Sequence, residues 1–270
     1  MTTTAGETAT GTLFQGRAAL ITGGGSGIGL AIGRALARGG CCIALGGRRR
    51  EVVETAAADL RALGLRAVAV AGDVSSADGA RQMVEEAARE LGGLDILVNC
   101  AGVYRAGPLA AESDETEPDP VDLVIDVDLK GVLFATRATI PHLRAGRGGA
   151  SIVNISSSLT QSPLANCSVY TAAKAGVDAL TRSLAAELAG DRIRVNAVLP
   201  GVVRTPIFET IMPPDEAAAF LEGFGDEVPL GRVGEPDDVA RAVVFLCDPA
   251  NDWITGALLA VDGGLSLGSG

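Results

Sequence analysis

Lysine, tyrosine and histidine are nearly missing from this chain: among 270 residues, Lys130 and Lys174 are the only lysines, Tyr104 and Tyr170 the only tyrosines, and His142 the only histidine. A single histidine argues against a metal site built on imidazoles and leaves proton transfer near neutral pH to another kind of side chain. The five cysteines (Cys41, Cys42, Cys100, Cys167, Cys247) form no CxxC pair, are odd in number and have one histidine to share a metal with. They read as reduced thiols in a cytoplasmic protein, and no metal is expected. No apolar run approaches the roughly 18 residues of a membrane span. The opening "MTTTAGETATGT" lacks the basic start and apolar core of a signal peptide, and residues 1–14 read as a disordered tail. Positive charge is short as well, with 22 Lys+Arg against 33 Asp+Glu and a formal net charge of -11, which argues against duplex nucleic acid as a partner. Since the cations are nearly all arginine, a general preference for Arg covers the surface, and the two positions that kept lysine carry more information.

What is present points to one α/β domain over residues 15–270. The chain is 47% hydrophobic with 36 glycines, so many tight turns and close backbone approaches are expected. Short apolar runs alternate with helix-period segments: "RAALIT" (17–22), "CCIAL" (41–45), "RAVAVAG" (66–72), "LDILVNCAG" (94–102), "ASIVNIS" (150–156), "RIRVNAVLP" (192–200) and "ALLAVDGG" (257–264). Helices are expected from about Ile28, Glu51 and Ala80 after the first three runs. Strands apolar on both faces and separated by helices imply a doubly wound, seven-stranded parallel sheet covered on both sides, with ligands bound at the carboxyl ends of its strands. Two segments stand apart. The acidic "AESDETEPDPVD" (111–122) reads as a solvated loop. The stretch over about 206–230 mixes Phe208, Ile211, Met212, Phe220 and Phe224 with Pro and Gly; it reads either as a flexible flap over an apolar ligand or as a packed surface helix.

"TGGGSGIG" (22–29) follows the first strand and opens the first helix. Gly23, Gly27 and Gly29 there suit a tight turn, close approach to a pyrophosphate and close helix packing, with free N–H groups and the helix dipole facing the anion. Glycine clusters also make plain turns, so the second strand matters. Its end, "ALGGRRR", carries Gly46 and Gly47 where an NAD site offers an acid to the ribose hydroxyls, and then Arg48, Arg49 and Arg50. Such a run is commonly a solvated face. Yet cations at a helix N-terminus are unfavourable, and a phosphate gripped by a guanidinium explains one there. "YTAAK" then sets Tyr170 and Lys174 one helical turn apart on a shared face, and a tyrosine beside a fixed ammonium can have its pKa lowered for proton transfer. The pair could equally be incidental, but "NISSS" lies thirteen residues upstream at the end of a buried strand.

With these motifs in order, the chain resembles the single-domain short-chain dehydrogenase/reductases, of the 3-oxoacyl-acyl-carrier-protein reductase type. The resemblance runs from about Gly16 to Leu265 and includes "GDV" (72–74), "VNCAG" (98–102), "NISS" (154–157), "NAVLPGVVRT" (196–205), "PLGRVGEPDDVA" (229–240) and "ITGALLAVDGG" (254–264). It implies a Rossmann fold and a cofactor lined by Gly23, Ser26, Gly27, Ile28 and Gly29, with adenine read by Asp73 and Val74. Asn99, Ala101 and Gly102 would pass the riboses, Cys100 standing where a second Asn is usual. Pro200, Gly201, Val203 and Thr205 would orient the nicotinamide. Tyr170 matches the proton donor, Lys174 the residue that activates it and holds the ribose, and Ser157 the serine at the substrate carbonyl; Ser156 and Ser158 are held as structural. Gly47 followed by Arg48 matches the NADP type, so NADP(H) is expected over NAD(H), with Arg48 on the 2′-phosphate, Arg49 the second choice and Arg50 facing solvent.

One position departs from the pattern: "VDLKG" (127–131) carries Asp128 where the family has a catalytic Asn. A carboxylate can accept from a relay water but cannot donate as an amide does, so activity with an altered pH profile is expected. The resemblance implies hydride transfer between NADPH and a carbonyl or secondary alcohol of a small, apolar substrate. Two other readings stand: an epimerase, dehydratase or cyclase without net redox change, and a cofactor-binding protein that has lost catalysis. It also implies a homotetramer or dimer. His142 is given no role.

Overall fold

The computed structural model describes residues 13–110, 119–146 and 148–268. Seven parallel strands form one sheet: β1 (Ala18–Thr22), β2 (Cys42–Gly47), β3 (Ala67–Ala71), β4 (Ile96–Asn99), β5 (Ala150–Ile155), β6 (Ile193–Pro200) and β7 (Leu258–Val261), in the spatial order β3-β2-β1-β4-β5-β6-β7. This is the doubly wound, Rossmann-type sheet expected. The chain first winds outward from β1 through β2 to β3, then returns to place β4 on the other side of β1. The strand order reverses between β1 and β4, so a crevice opens at their carboxyl ends.

The two faces of the sheet explain why its strands lack alternation in sequence. Ile21, Leu45, Val98 and Val153 point into one core with α1 (Gly27–Arg38), α2 (Arg50–Ala62) and α8 (Pro236–Cys247). Their neighbours Leu20, Ala44, Leu97 and Ile152 point into the other, which α3 (Ala77–Leu91) joins through Met83, Val84 and Ala87. Successive residues of one strand must therefore both be apolar. Strand β7 is the exception: it lies at the sheet edge and its middle residues are exposed.

On the α3 face, α4 (Pro120–Ile125) runs through one π-helical turn (Asp126–Lys130) into α5 (Gly131–Ala145). Helix α6 (Ser168–Leu188) lies beside it, and α7 (Pro214–Gly223) sits in the segment after β6.

The structure corrects several local expectations. Helix α3 begins at Ala77 rather than near Ala80, because Ser76 caps it by accepting from the Gly79 N–H at 3.0 Å. The run 94–102 is strand only over β4, and just before it the Asp95 carboxylate accepts from the Ala18 N–H at 2.9 Å. Most of the expected tail lies outside the described residues, but Phe14 within it is fully buried against Gly39, where a Cβ would stand 2.7 Å from Phe14 Cδ2. Likewise 111–118 lie outside the described residues. The end of that acidic segment is the start of a helix instead of loop: Asp119 caps α4, accepting from the Val121 N–H at 2.7 Å.

Candidate functional site

At the switch point, Thr22 ends β1 and its Oγ1 accepts from the N–H groups of Cys100 (3.0 Å) and Ala101 (3.1 Å). The end of β1 is thereby fastened to the chain leaving β4. Gly23 then turns at φ +68°, and a Cβ on it would stand 2.8 Å from the Ala101 backbone, so no other residue fits unstrained. Helix α1 starts just beyond without a side-chain cap and with no acid in its first turn, whereas α3 and α4 are capped by Ser76 and Asp119. Its first N–H groups and the positive end of its dipole therefore face the crevice, an arrangement suited to a pyrophosphate.

That crevice is a cavity of about 610 Å³. Its walls include Gly23, Ser26, Gly27, Ile28 and Gly29 from the glycine turn, Arg48 and Arg49 after β2, and Asp73 and Val74 after β3. Ala101 and Gly102 follow from β4, Ser157 from β5, Tyr170 and Lys174 from α6, and Pro200, Gly201, Val203 and Thr205 from the end of β6. Residues chosen from seven separate stretches of sequence thus line one space. Arg50 stands apart from it, exposed and 3.5 Å from Glu54 on its own helix.

Two expected residues do not line the cavity. Asn99 lies on a strand whose side chains alternate between faces, and its amide Nδ2 donates to Thr136 Oγ1 (3.0 Å) and Asn154 Oδ1 (2.8 Å). Asn154 Nδ2 in turn donates to Thr181 Oγ1 at 2.9 Å, so these side chains form a buried ladder that ties β4, β5, α5 and α6 together. The Asn99 Nδ2 is thus turned into this ladder, while its Oδ1 has no hydrogen-bond partner among the described residues. Asp128 is fully buried in the π-helical turn, behind the cavity wall; its Oδ1 accepts from the Val103 N–H at 2.9 Å, while its Oδ2 has no hydrogen-bond partner among the described residues.

The titratable cluster follows from this packing. A Cβ placed on Gly102 would lie 3.1 Å from Asp128 Oδ1 and 3.6 Å from Lys174 Nζ, so the carboxylate and ammonium flank one point. Lys174 is 4% exposed and donates to the Ile155 carbonyl at 3.1 Å. Burial alone would lower its pKa, but Asp128 and then Tyr170 more than offset that, and it stays above the usual lysine value. Burial raises the Asp128 carboxyl, against the pull of Lys174 and the Val103 N–H. Tyr170 is also raised: burial is the largest cause and Asp128 adds to it, while the Lys174 charge and a hydrogen bond with Ser157 pull the other way. The sequence-based expectation of a lowered Tyr170 pKa is thus corrected. Lys174 acts in the expected direction, but desolvation wins.

Ser157 is 7% exposed; its Oγ accepts from the Leu159 N–H at 3.2 Å, and its own proton is directed at the Tyr170 oxygen. Ser156, by contrast, donates to the Lys174 carbonyl at 3.2 Å and holds α6 in place. Cys100 also lines the cavity, with burial pushing its thiol up to about 12, so it is no nucleophile at neutral pH.

Beyond Tyr170 the cavity is walled by aromatic rings. Tyr104 meets Tyr170 edge to face with centroids 5.1 Å apart, Phe208 lies 6.4 Å from Tyr104, Phe220 5.3 Å from Phe208, and Phe224 5.4 Å from Phe220. Tyr104 Oη and Cys167 Sγ hydrogen-bond at 3.2 Å. Sequence reasoning gave Tyr104 and Arg105 no role; the available signal was "YR" directly after "VNCAG", where the chain leaves β4 into the crevice. The segment 206–230 is a folded cover that includes α7, and Phe208, Phe220 and Phe224 turn into the cavity while Ile211 and Met212 do not line it.

Comparisons with known proteins place this geometry among relatives. Residues 23–266 match the family profile described as enoyl-(acyl carrier protein) reductase. The chain is 38% identical over 264 residues to a peroxisomal 2,4-dienoyl-CoA reductase of Arabidopsis thaliana, covering 94% of this chain and 86% of that one. It is 41% identical over 254 residues to a cis-4-hydroxycyclohexanecarboxylate dehydrogenase of Sinomonas cyclohexanicum, covering 94% and 98%. Among solved structures, a 3-ketoacyl-(acyl-carrier-protein) reductase of Brucella melitensis complexed with NADH matches with a TM-score of 0.83 and 35% identity, over 94% of this chain and 99% of that one.

Proposed function

Because the chain belongs to the short-chain dehydrogenase/reductase family of oxidoreductases, we propose that it reduces a carbonyl group on a small, largely apolar molecule with NADPH, and runs the reverse alcohol oxidation. The observation that carries this reading is the meeting of Ser157, Tyr170 and Lys174 on the wall of the same cavity that holds the glycine turn. The residues present fit a nicotinamide dinucleotide: the uncapped start of α1 and the Gly23 cradle suit its pyrophosphate, and Arg48 and Arg49 suit a 2′-phosphate. When bound, the cofactor supplies or takes the hydride.

The remaining chemistry belongs to the chain. A ketone gains hydride at carbon and a proton at oxygen, giving a secondary alcohol and NADP⁺. Tyr170, held above its ordinary pKa, is a protonated phenol at neutral pH and so is poised to give that proton. Ser157 offers its hydroxyl proton to the same oxygen and orients it. Lys174, fixed through the Ile155 carbonyl, keeps a positive charge beside the phenolate that is left. Alcohol oxidation needs that phenolate first, so it should be favoured at alkaline pH. The exposed β7 edge and the fully open Trp253 (97% exposed) support a self-associating protein, a homotetramer or dimer, which light scattering tests.

The test is a panel of ketones and alcohols with NADPH and NADH, read at the absorbance of the reduced nicotinamide. Stoichiometric loss of NADPH with ketones is expected. Turnover of a substrate without net loss of NADPH would overturn the reductase reading in favour of an epimerase or dehydratase.

A further inference from the structure

Among the described residues, four cations line the cavity: Arg48, Arg49, Lys174 and Arg105. The first two stand at the end of β2, and Lys174 faces Asp128. Arg105 stands at the other end, among the aromatic rings. It is half-buried, and its Nη1 donates to the Tyr104 carbonyl at 2.8 Å and to Thr210 Oγ1 at 3.4 Å. These contacts hold the guanidinium between the chain leaving β4 and the start of the cover. Both use Nη1, and Nε and Nη2 have no partner among the described residues; nor does any described carboxylate pair with Arg105. Several surface arginines do pair with a carboxylate, as Arg34 does with Asp237 at 2.8 Å and Arg144 with Asp191 at 2.8 Å. An arginine with open donors in an apolar, aromatic-walled space fits an anion that arrives with the substrate.

We propose that Arg105 is a specificity-determining residue that binds a carboxylate on the substrate, so that the preferred substrates are keto acids whose carbonyl and carboxylate are joined by an aromatic or alicyclic body. This rests on the carbonyl-reductase reading above. The rings of Tyr104, Phe208, Phe220 and Phe224 supply flat apolar contact for that body between Tyr170 and Arg105. A carboxylate suits the site better than a phosphate, because one planar guanidinium matches a singly charged planar acceptor with two parallel bonds. A phosphate ester would call for a second cation or a helix N-terminus, and at this end of the cavity Arg105 is the one cation among the described residues.

The probes are 4-acetylbenzoate and 4-acetylbenzamide, which share shape and ketone and differ in charge, each given with NADPH to the intact protein. In the wild type the acid should be favoured by about tenfold or more in kcat/KM, chiefly through KM. In Arg105→Gln the acid-to-amide ratio should fall to near one, whatever the change does to the shared rate, and Arg105→Lys should keep part of it. Calorimetric titration of both probes into the NADP⁺-saturated protein gives a readout independent of turnover. Reduction of the ketones without an acid preference, or a preference that survives Arg105→Gln, overturns the role of Arg105 alone. Acid-selective, Arg105-dependent binding with no reduction of any ketone overturns the reductase reading and leaves Arg105 as an anion-binding residue. Binding of acid and amide with equal affinity overturns the Arg105 proposal whether or not turnover occurs.

Discussion

Replacing Arg48 by alanine should weaken NADPH binding and leave NADH binding nearly untouched. Arg48 follows Gly47 and lines the cavity, and the end of β2 carries Gly46 and Gly47 rather than a carboxylate. A hydrogen bond to a charged group contributes about 1.5 to 3 kcal/mol. Since Arg48 is exposed and Arg49 remains beside it, solvent screening places the expected loss at the lower end, about 1.5 kcal/mol or about tenfold in Kd. NADH has no 2′-phosphate, so its Kd should move by less than about twofold on the same reasoning. Titration of the intrinsic fluorescence of each reduced nucleotide measures both constants. Added salt should narrow the NADPH advantage of the wild type and barely affect the variant, because the interaction is an exposed one between charges. The converse change is Gly47→Asp. A Cβ at Gly47 would stand 2.9 Å from Val53 Cγ1, so it is best made together with Val53→Ala, and the pair should shift preference toward NADH. Equal weakening of NADPH and NADH by Arg48→Ala would refute the reasoning and return the arginine triplet to a solvated charge run.

Tyr170→Phe should lose about 10² to 10⁴ in turnover, the usual worth of a positioned acid, while NADPH still binds with its Kd little changed; loss of binding together with turnover would make the residue structural. Asp128→Asn removes a carboxylate that holds the Tyr170 pKa up, so the basic inflection of alcohol oxidation should move to lower pH in a pH–rate profile; an unmoved inflection would show that the carboxylate is not sensed at the phenol. Gly23→Ala should lower the melting temperature and abolish cofactor binding, because φ +68° costs a non-glycine residue about 1–2 kcal/mol before the contact with the Ala101 backbone is counted; an unchanged melt with intact NADPH binding would argue against the close approach.

The sheet was legible because burial on both faces leaves an unmistakable run of small and branched apolar residues, and the order of seven such runs with intervening helices admits few topologies. The arginine triplet was legible for a related reason: its position at the end of β2 is a property of local sequence, and Arg48 and Arg49 do line the cavity while Arg50 turns to Glu54. What depended on side-chain direction was not legible. Asn99 and Thr22 stand side by side in register, yet the Thr22 hydroxyl serves the N–H groups at the crevice while the Asn99 amide points into the ladder with Asn154. Both residues stand on the same face of the sheet, so the motif fixes where the backbone goes, and the partners each side chain finds there decide whether it serves the crevice or the core. The Tyr170 pKa failed for another reason, since a neighbouring lysine can be read at a spacing of four but desolvation by Tyr104 and the rest of the wall cannot. The aromatic wall itself joins Tyr104 to Phe208 and Phe220 across more than a hundred residues of sequence, in a chain that is only 3% aromatic. Linking Tyr104, Phe208, Phe220 and Phe224 in a row from Tyr170 leaves Arg105 as the charged exception beside them, and that contrast, visible only once the chain is folded, is the basis of the proposed substrate preference.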